Sequence, residues 1–441
     1  MLLKTFLSEY KSISKKANKF HLNYLMPEIF TLYCPQCHTK LPPGTFAYQC
    51  MECFEKQRPD TPPMGILKTL YPYEEIRKQR GQERLFEKIK ENHFLDILPV
   101  KQVESFGPLK VGNTPMYSFS TQGHKGKELS YHLKDDSQNP TFSFKDRASQ
   151  VVSAYAREQG FSTLVAASTG NAGSSLAGIC ASQNQQAVII VPKTAPPAKL
   201  LQVIMYGATL VMVDANYDAA FDLSVKATQH FGWFNRNTGY NPFTTEGKKT
   251  VAFEIFDQLQ GRLPSRIFVP VGDGVIIAGV YKGFEDLLQL GIINKMPVIV
   301  AVQSAQSDNL ARNIGKERFT MKTANTLADS ISVDYPRNFY MAAQFLEQYQ
   351  GECITVTDRE IVQAAGRMAR ETGIFAEPAA AAAMAGMLKY DAQQPADHET
   401  SMLVLSTGSG LKDIHTPMKH IALPHPIKPD LSALEKYLSK K

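Results

Sequence analysis

Residues 139–147 read N-P-T-F-S-F-K-D-R and form the segment of the chain best suited to covalent chemistry. An Asn-Pro turn signal opens the segment, and a helical pattern leads out of it to Gln159. Lys145 is therefore predicted at the start of a helix, where the positive end of the helix dipole disfavours an ammonium and favours the neutral amine. A neutral lysine can attack an aldehyde and hold it as an imine. Lys145 is thus a candidate Schiff-base lysine, and the alternative is a solvated lysine beside Asp146.

Three more segments place glycines or hydroxyls directly after a predicted strand. Residues 164–173 (L-V-A-A-S-T-G-N-A-G) and 267–275 (I-F-V-P-V-G-D-G-V) run from an apolar strand through a glycine turn into a helix start, and residues 403–413 (L-V-L-S-T-G-S-G-L-K-D) end a strand with hydroxyls. Free backbone N–H groups and the helix dipole bind anions at such turns. Each segment alone is common in α/β proteins. Ligands bind at the carboxyl ends of parallel strands, so the segments are expected to line one cleft.

In this order the four segments resemble the fold-type II pyridoxal-phosphate (PLP) enzymes, and among them the threonine synthase family, over roughly residues 100 to 420. Residues 241–250 (N-P-F-T-T-E-G-K-K-T) and 371–381 (E-T-G-I-F-A-E-P-A-A-A) resemble that family as well. The resemblance implies an α/β fold of the tryptophan synthase β type, with two parallel-sheet domains and the active site in the cleft between them.

The resemblance also implies a role for each segment. Lys145 holds the cofactor, Asn171 faces its phenolate oxygen and Thr407 faces its ring nitrogen. A hydroxyl there cannot keep the pyridine protonated, so the ring is a weaker electron sink, which suits elimination and replacement at the β or γ carbon. Asn171 as a helix N-cap and Thr407 as a strand end are the structural alternatives. Ser168, Thr169 and Gly170 are expected to bind the substrate carboxylate. The cofactor phosphate is expected at the backbone of Gly272, Asp273, Gly274, Val275 and Ile276.

Two positions depart from the family pattern. Ala172 stands where many threonine synthases have Thr, and Asp273 stands where many have Asn. Losing a hydroxyl and gaining a carboxylate should weaken phosphate binding unless a cation compensates. The candidates are Lys248, Lys249 and Arg147, and the two lysines are expected to contact the substrate.

The leading function is the conversion of O-phospho-L-homoserine and water to L-threonine and phosphate. A second possibility is PLP-dependent β-replacement or β-elimination, as in cysteate synthase acting on phosphoserine and sulfite, or in a diaminopropionate or threonine ammonia-lyase. A third is a non-catalytic zinc-ribbon interaction protein on a PLP scaffold. The presence of Lys145, Asn171 and Thr407 argues against that last reading.

Two C-x-x-C pairs lie near the N-terminus, separated by twelve residues that include proline and glycine. Two residues between thiols let both sulfurs of a turn face one ion, which suits tetrahedral zinc. Four thiolates leave no open position, so the site is predicted to be structural. A pair of disulfides is the alternative, which a cytosolic protein would not keep. The predicted ligands are Cys34, Cys37, Cys50 and Cys53, while Cys180 and Cys353 are expected to be packing residues.

Composition sets wider limits. The 441 residues are 43% hydrophobic and 20% charged, with a net charge of +6, which is ordinary for a globular protein with a large core. No basic stripe with interleaved aromatics indicates nucleic-acid binding. No apolar run reaches membrane-span length, and the N-terminus lacks a signal-peptide pattern. A cytoplasmic enzyme acting on a small amino acid, possibly as a homodimer, is expected.

Short apolar runs alternate with helical patterns from Ala148 onward, which indicates parallel sheets covered on both faces. Strands are predicted at 163–167, 187–191, 209–213, 232–235, 266–271, 298–303 and 402–406. The predicted organisation is an N-terminal extension (1–30), a zinc-ribbon-like segment (31–60), a linker and helix (61–99), a large PLP-binding domain (100–154 and 236–425), a small domain (155–235) and a C-terminal tail (426–441).

Overall fold

The computed structural model describes residues 30–58, 60–394, 401–414 and 424–439. The predicted N-terminal extension lies outside the described residues except for Phe30, as do the last two residues of the predicted tail. Within the described part of the chain, no helix combines the length and the apolarity needed to cross a bilayer.

The larger sheet has six strands in the order β11-β10-β9-β12-β4-β3. All neighbours are parallel except the β3–β4 pair at one edge, which is antiparallel. The central strand β9 is a continuous apolar run, and Ile267, Phe268 and Val269 are fully buried, as expected for a strand covered on both faces. The strands are β3 Met116–Gln122, β4 Glu128–Asp135, β9 Arg266–Pro270, β10 Val298–Ser304, β11 Glu352–Val356 and β12 Met402–Ser406.

The smaller sheet has four parallel strands in the order β7-β6-β5-β8. They are β5 Thr163–Ala167, β6 Gln186–Pro192, β7 Thr209–Val213 and β8 Phe234–Asn235. These strands all fall within the segment predicted as the small domain. The domain boundaries themselves remain a prediction.

Helices cover both sheets. Helix α11 has a complete capping box, in which the Thr357 side chain accepts from the Glu360 backbone and Glu360 reaches back. The helices that follow the N-terminal segment are α4 Lys145–Glu158, α5 Asn171–Ser182, α6 Pro197–Met205, α7 Tyr217–Phe231, α8 Phe243–Gln258, α9 Val275–Gln289, α10 Phe339–Gln348, α11 Asp358–Thr372, α12 Pro378–Gln393 and α13 Leu431–Leu438.

The N-terminal segment is a small ribbon that packs against both larger units. Strands β1 Thr31–Tyr33 and β2 Lys68–Leu70 pair antiparallel, and the short helix α1 Met51–Phe54 lies between them. The single helix predicted within residues 61–99 is instead two helices, α2 Tyr73–Arg80 and α3 Leu85–Glu91. The break follows from positive φ angles at Gly81 (73°) and Arg84 (50°), which a continuous helix cannot contain.

Candidate active site

Two adjoining cavities lie at the carboxyl ends of the parallel strands, where the sequence predicts the site. The larger has a volume of about 800 Å³, and the smaller a volume of about 50 Å³. Lys145, Thr238, Asp273 and Ser330 line both. Segments that follow β5, β8, β9 and β12 therefore meet around one lysine.

Lys145 is the first residue of α4 and is held in place by the segment that follows β12. The Phe144 N–H donates to the Thr407 carbonyl at 2.9 Å, and the Ser409 N–H donates to the Phe142 carbonyl at 3.1 Å. Burial lowers the pKa of Lys145 from its usual value, and the nearby Arg236 lowers it further, while Glu377 and Asp273 act in the opposite direction. The turn therefore presents an amine that loses its proton more readily than a solvated lysine.

The predicted phosphate loop, residues 272–276, lines the smaller cavity in full. Gly274 has φ +82° and precedes α9 without any side-chain cap on the first helical N–H groups. A Cβ at Gly272 would lie 2.8 Å from the Ile331 Cα, so the loop packs too closely for a larger residue. Uncapped N–H groups at the start of a fifteen-residue helix form an anion site.

Thr407 and Asn171 each line one of the two adjoining cavities. Thr407 lines the smaller cavity, and Asn171 lines the larger one at the start of α5. The Asn171 amide donates to both carboxylate oxygens of Glu377 at 3.0 Å. Burial raises the pKa of Glu377 despite this hydrogen bond and the charge of Lys145. The sequence analysis assigned Glu377 no role in the site, and the structure places it in the wall of the smaller cavity.

The segment predicted to bind the substrate carboxylate faces the larger cavity. Ser168, Thr169, Gly170 and Ala172 all line it. The space next to Gly170 is open, since a Cβ built there meets no atom within 4 Å. This segment runs into α5 with no side-chain cap on the helix, so the helix start can bind an anion, although the Gly170 N–H donates to Ser168 Oγ at 3.3 Å.

Two buried cations stand beside Lys145 without a carboxylate to balance them. Lys248 is fully buried, its Nζ has no hydrogen-bond partner, and it lines the smaller cavity with the phosphate loop. Arg236 is fully buried in the wall of the larger cavity. Its guanidinium donates to Ser149 Oγ, Thr238 Oγ1 and the Lys145 carbonyl, at 3.1, 2.7 and 3.3 Å. Among the described residues, neither cation forms an ion pair.

The pKa values of these two groups follow from that isolation. Burial lowers the pKa of Arg236 to about 10. Burial also lowers the pKa of Lys248 well below its usual value, and Arg236 and Lys145 lower it further. Sequence analysis missed Arg236, although it directly follows a predicted strand, as do the site segments that begin at Ser168, Gly272 and Thr407.

Lys249 and Arg147, by contrast, are not available to a ligand. The Lys249 ammonium is fully buried between Glu246 and Asp286, at 2.5 and 2.7 Å. Arg147 is paired with Asp136 and Glu254, each at 2.5 Å. Neither lines either cavity. The expectation that Lys249 contacts substrate is therefore wrong, because its charge is already neutralised on the far side of α8.

The four predicted metal ligands come together in the ribbon. Their Sγ atoms all lie within 4.8 Å of one another, with Cys34 3.6 Å from Cys53 and Cys37 3.5 Å from Cys50. Thiolates at a tetrahedral zinc bond length of about 2.3 Å lie about 3.8 Å apart, so this arrangement fits zinc. No disulfide links the described cysteines. Cys180 is buried as expected, whereas Cys353 is exposed.

Comparison with known proteins agrees with this geometry. Residues 108–408 match the family described as pyridoxal-phosphate dependent enzyme. The chain is 33% identical over 381 residues to a threonine synthase of Methanocaldococcus jannaschii, covering 85% of this chain and 94% of that protein. It is 29% identical to a threonine synthase of Methanosarcina acetivorans over 94% of this chain and all of that protein.

Solved structures with the same fold include enzymes of other names. An O-ureido-L-serine synthase superposes with a TM-score of 0.60 and 20% identity, over 75% of this chain and 97% of that one. Maize serine racemase superposes with a TM-score of 0.58 and 21% identity, over 75% of this chain and 92% of that one. These likenesses confirm the predicted fold class, and they leave the substrate open.

Proposed function

The chain belongs to the threonine synthase family of pyridoxal-phosphate-dependent enzymes, and on that premise we propose that it converts O-phospho-L-homoserine and water to L-threonine and phosphate. It is a PLP-dependent enzyme of the carbon–oxygen lyase class. The substrate is our inference, and one observation carries it: two buried basic side chains, Arg236 and Lys248, line the cavities, and no carboxylate among the described residues pairs with either.

An unbalanced buried charge is unfavourable unless a ligand supplies the opposite charge. Burial lowers the pKa of Arg236, and the negative charge of Asp146 acts in the opposite direction. The Asp146 oxygens, however, already accept hydrogen bonds from the Thr141 backbone N–H at 2.7 Å and from the Thr141 hydroxyl. A phosphate monoester carries between one and two negative charges at neutral pH. Two phosphates, one on the cofactor and one on the substrate, would therefore balance the charge of this cluster. With an unphosphorylated substrate, only the cofactor phosphate would be present.

We assign the cofactor phosphate to the loop 272–276 together with Lys248. The uncapped start of α9 offers backbone donors, and the unpartnered Lys248 ammonium lines the same small cavity. This arrangement offsets the carboxylate of Asp273, which stands where many relatives have an amide. Lys145, Asn171 and Thr407 would hold the rest of the cofactor, which when bound supplies an electron sink for charge developing at the substrate carbons.

The substrate is held by the other half of the site. The N–H groups of the segment 168–170 would bind the α-carboxylate at the start of α5. Arg236 would bind the γ-phosphate with charge-assisted hydrogen bonds and stabilise it as it leaves. Lys145 would accept and return protons along the carbon chain, since its lowered pKa lets the neutral amine act as a base.

A single substrate panel tests the proposal. O-phosphohomoserine, O-phosphoserine with and without sulfite, threonine and diaminopropionate are incubated with the holoenzyme and assayed for phosphate, keto acid and amino-acid products. We expect phosphate and threonine from O-phosphohomoserine. Turnover of phosphoserine with sulfite, and none of phosphohomoserine, would instead assign a cysteate synthase activity.

Asp273 supports one alternative activity. Its carboxylate lines both cavities, and Oδ1 accepts from the Arg337 backbone N–H at 3.2 Å. A carboxylate at this position would attract the second ammonium group of diaminopropionate. Keto acid formed from diaminopropionate alone would therefore favour ammonia-lyase chemistry.

Arg236→Gln separates the two readings within one protein. Glutamine keeps hydrogen-bonding capacity but removes the charge, and a charge-assisted hydrogen bond contributes about 1.5–3 kcal/mol. We expect KM for O-phosphohomoserine to rise by about 10- to 150-fold, with little change for an unphosphorylated substrate. Equal effects on both kinds of substrate would contradict the assignment of Arg236 to the phosphate.

A further inference from the structure

The wall of the large cavity includes residues from the N-terminal ribbon. Lys145 and the segment 168–172 share this cavity with five residues of the ribbon, which are Gln57, Arg58, Asp60, Thr61 and Pro63. We call residues 57–58 and 60–63 the ribbon loop. It begins four residues after Cys53, the last cysteine of the cluster, so the cysteine cluster and the substrate cavity share a structural element.

One side chain organises the ribbon loop. The Gln57 carboxamide oxygen accepts from the Met64 backbone N–H at 2.7 Å. Its Nε2 lies within hydrogen-bond distance of the carbonyls of Thr61 and Pro62, each at 3.2 Å. Gln57 therefore joins the two ends of the loop.

The far end of the loop is tied to the cysteine cluster. The Gly65 N–H donates to the Gln36 side chain at 2.5 Å, and Gln36 lies between Cys34 and Cys37. The Cys50 N–H donates to the Gly65 carbonyl at 2.8 Å. Gly65 has φ +78°, and a Cβ there would lie 2.6 Å from the Cys50 carbonyl oxygen. Both C-x-x-C pairs thus anchor the loop.

The ribbon is also fixed to the catalytic body beside Arg236. The Tyr48 hydroxyl accepts from the Asn235 N–H at 2.9 Å, one residue before Arg236. Tyr48 stacks on Tyr240 with ring centroids 4.6 Å apart. At the cavity mouth, the Tyr335 hydroxyl lies 3.4 Å from the Asp60 carboxylate. The loop therefore lines the cavity while being attached at Asp60 to Tyr335 and, beyond its end, at Gly65 to the cysteine cluster.

We propose that the ribbon loop is a substrate-positioning wall of the active site, that Gln57 is its positioning residue, and that metal bound by the four cysteines holds the wall in place. The metal thereby acts on substrate affinity as well as on folding. This inference rests on the proposed active site, and it holds for any amino-acid substrate that the cleft accepts.

The test compares two glutamines. Gln57→Ala removes the loop ties and leaves all four cysteines, whereas Gln82→Ala removes an exposed glutamine whose Nε2 donates to the Gly291 carbonyl at 3.4 Å. For Gln57→Ala we expect about one zinc per chain, an unchanged visible cofactor band and an approximately unchanged kcat. KM should rise on the order of tenfold, because the wall contributes binding that is equal in the ground state and the transition state, and loss of such binding raises KM without changing kcat. Gln82→Ala should match the wild type.

Removal of zinc from the wild-type holoenzyme with a chelator provides the second arm. It should raise KM as Gln57→Ala does, and chelation of Gln57→Ala should add little, because both act on the same wall. An unchanged KM in Gln57→Ala, or fully additive effects of the variant and the chelator, would overturn the proposal. If Gln57→Ala does not fold, an unchanged KM in the chelated wild type overturns it. KM is measured on whichever substrate of the panel turns over, so failure with O-phosphohomoserine leaves this test intact.

Discussion

Replacing each of two adjacent lysines by methionine should produce opposite effects, and this pair tests the electrostatic assignment of the site. Lys248 is fully buried, and its Nζ has no partner. Lys249 is equally buried but lies between Glu246 and Asp286. Methionine preserves much of the length and apolar volume of lysine, so the comparison isolates the charge.

For Lys248→Met we expect weaker cofactor binding in a more stable apoenzyme. A charge-assisted hydrogen bond to the cofactor phosphate contributes about 1.5–3 kcal/mol, so Kd for PLP should rise by about 10- to 150-fold. The apoenzyme should gain stability, because a buried amine without a partner is removed. Titration of the visible absorption band gives Kd, and thermal unfolding of the apoenzyme gives the change in Tm.

For Lys249→Met we expect the reverse order of effects. Removing one partner of a buried ion pair leaves uncompensated charge and destabilises by about 3–5 kcal/mol. Kd for PLP in the folded fraction should stay near the wild-type value. Equal losses of PLP affinity in both variants, or a Kd within twofold of wild type in Lys248→Met, would refute the assignment of Lys248 to the cofactor phosphate.

The pH dependence gives an independent check on Lys248. Its pKa is lower in the folded apoenzyme than in the unfolded chain, so the unfolded chain binds more protons between the two values. Stability of the apoenzyme should therefore rise with pH across that window. The contribution of Lys248 to this rise should be missing in Lys248→Met, and an identical pH profile in the two proteins would contradict the lowered pKa.

Two further outcomes are expected. The holoenzyme should be yellow, and Lys145→Ala should lose the visible band; a wild-type protein that stays colourless after reconstitution with PLP would contradict the cofactor assignment. Metal analysis should find about one zinc per chain, and Cys34→Ser should lower both zinc content and Tm, with kcat of the remaining folded enzyme nearly unchanged; a stable, zinc-free variant with wild-type KM would contradict the role of the cluster.

Local patterns were sufficient for the strands that build the site. Each of β5, β9 and β12 is a short apolar run followed by glycine or hydroxyl residues. Because ligands bind at the carboxyl ends of parallel strands, these runs were enough to predict where the site lies. Strand β11 was missed because its sequence, E-C-I-T-V, is only partly apolar and pairs at the edge of the sheet. Its pairing depends on contacts with β10, which no local pattern encodes.

The ribbon shows a different limit. The spacing of the cysteines predicts the metal cluster from a few neighbouring residues. The position of the ribbon loop depends on contacts between segments far apart in sequence, such as Tyr48 with Asn235. The sequence therefore gives no sign that the metal site and the cavity are connected, although the ribbon loop joins them in space.

The different roles of Lys248 and Lys249 depend on how helix α8, which carries both residues, is rotated about its axis. Successive residues on an α-helix point about 100° apart, so two adjacent lysines cannot face the same ligand. The sequence N-P-F-T-T-E-G-K-K-T assigns both to a helix but does not give its rotation. Gly279 shows the rotation, because its added Cβ would lie 2.5 Å from Lys248 Cβ: α9 packs directly on α8 at that residue. This close approach places Lys248 next to the phosphate loop at the start of α9, and the carboxylates of Glu246 and Asp286 then neutralise Lys249.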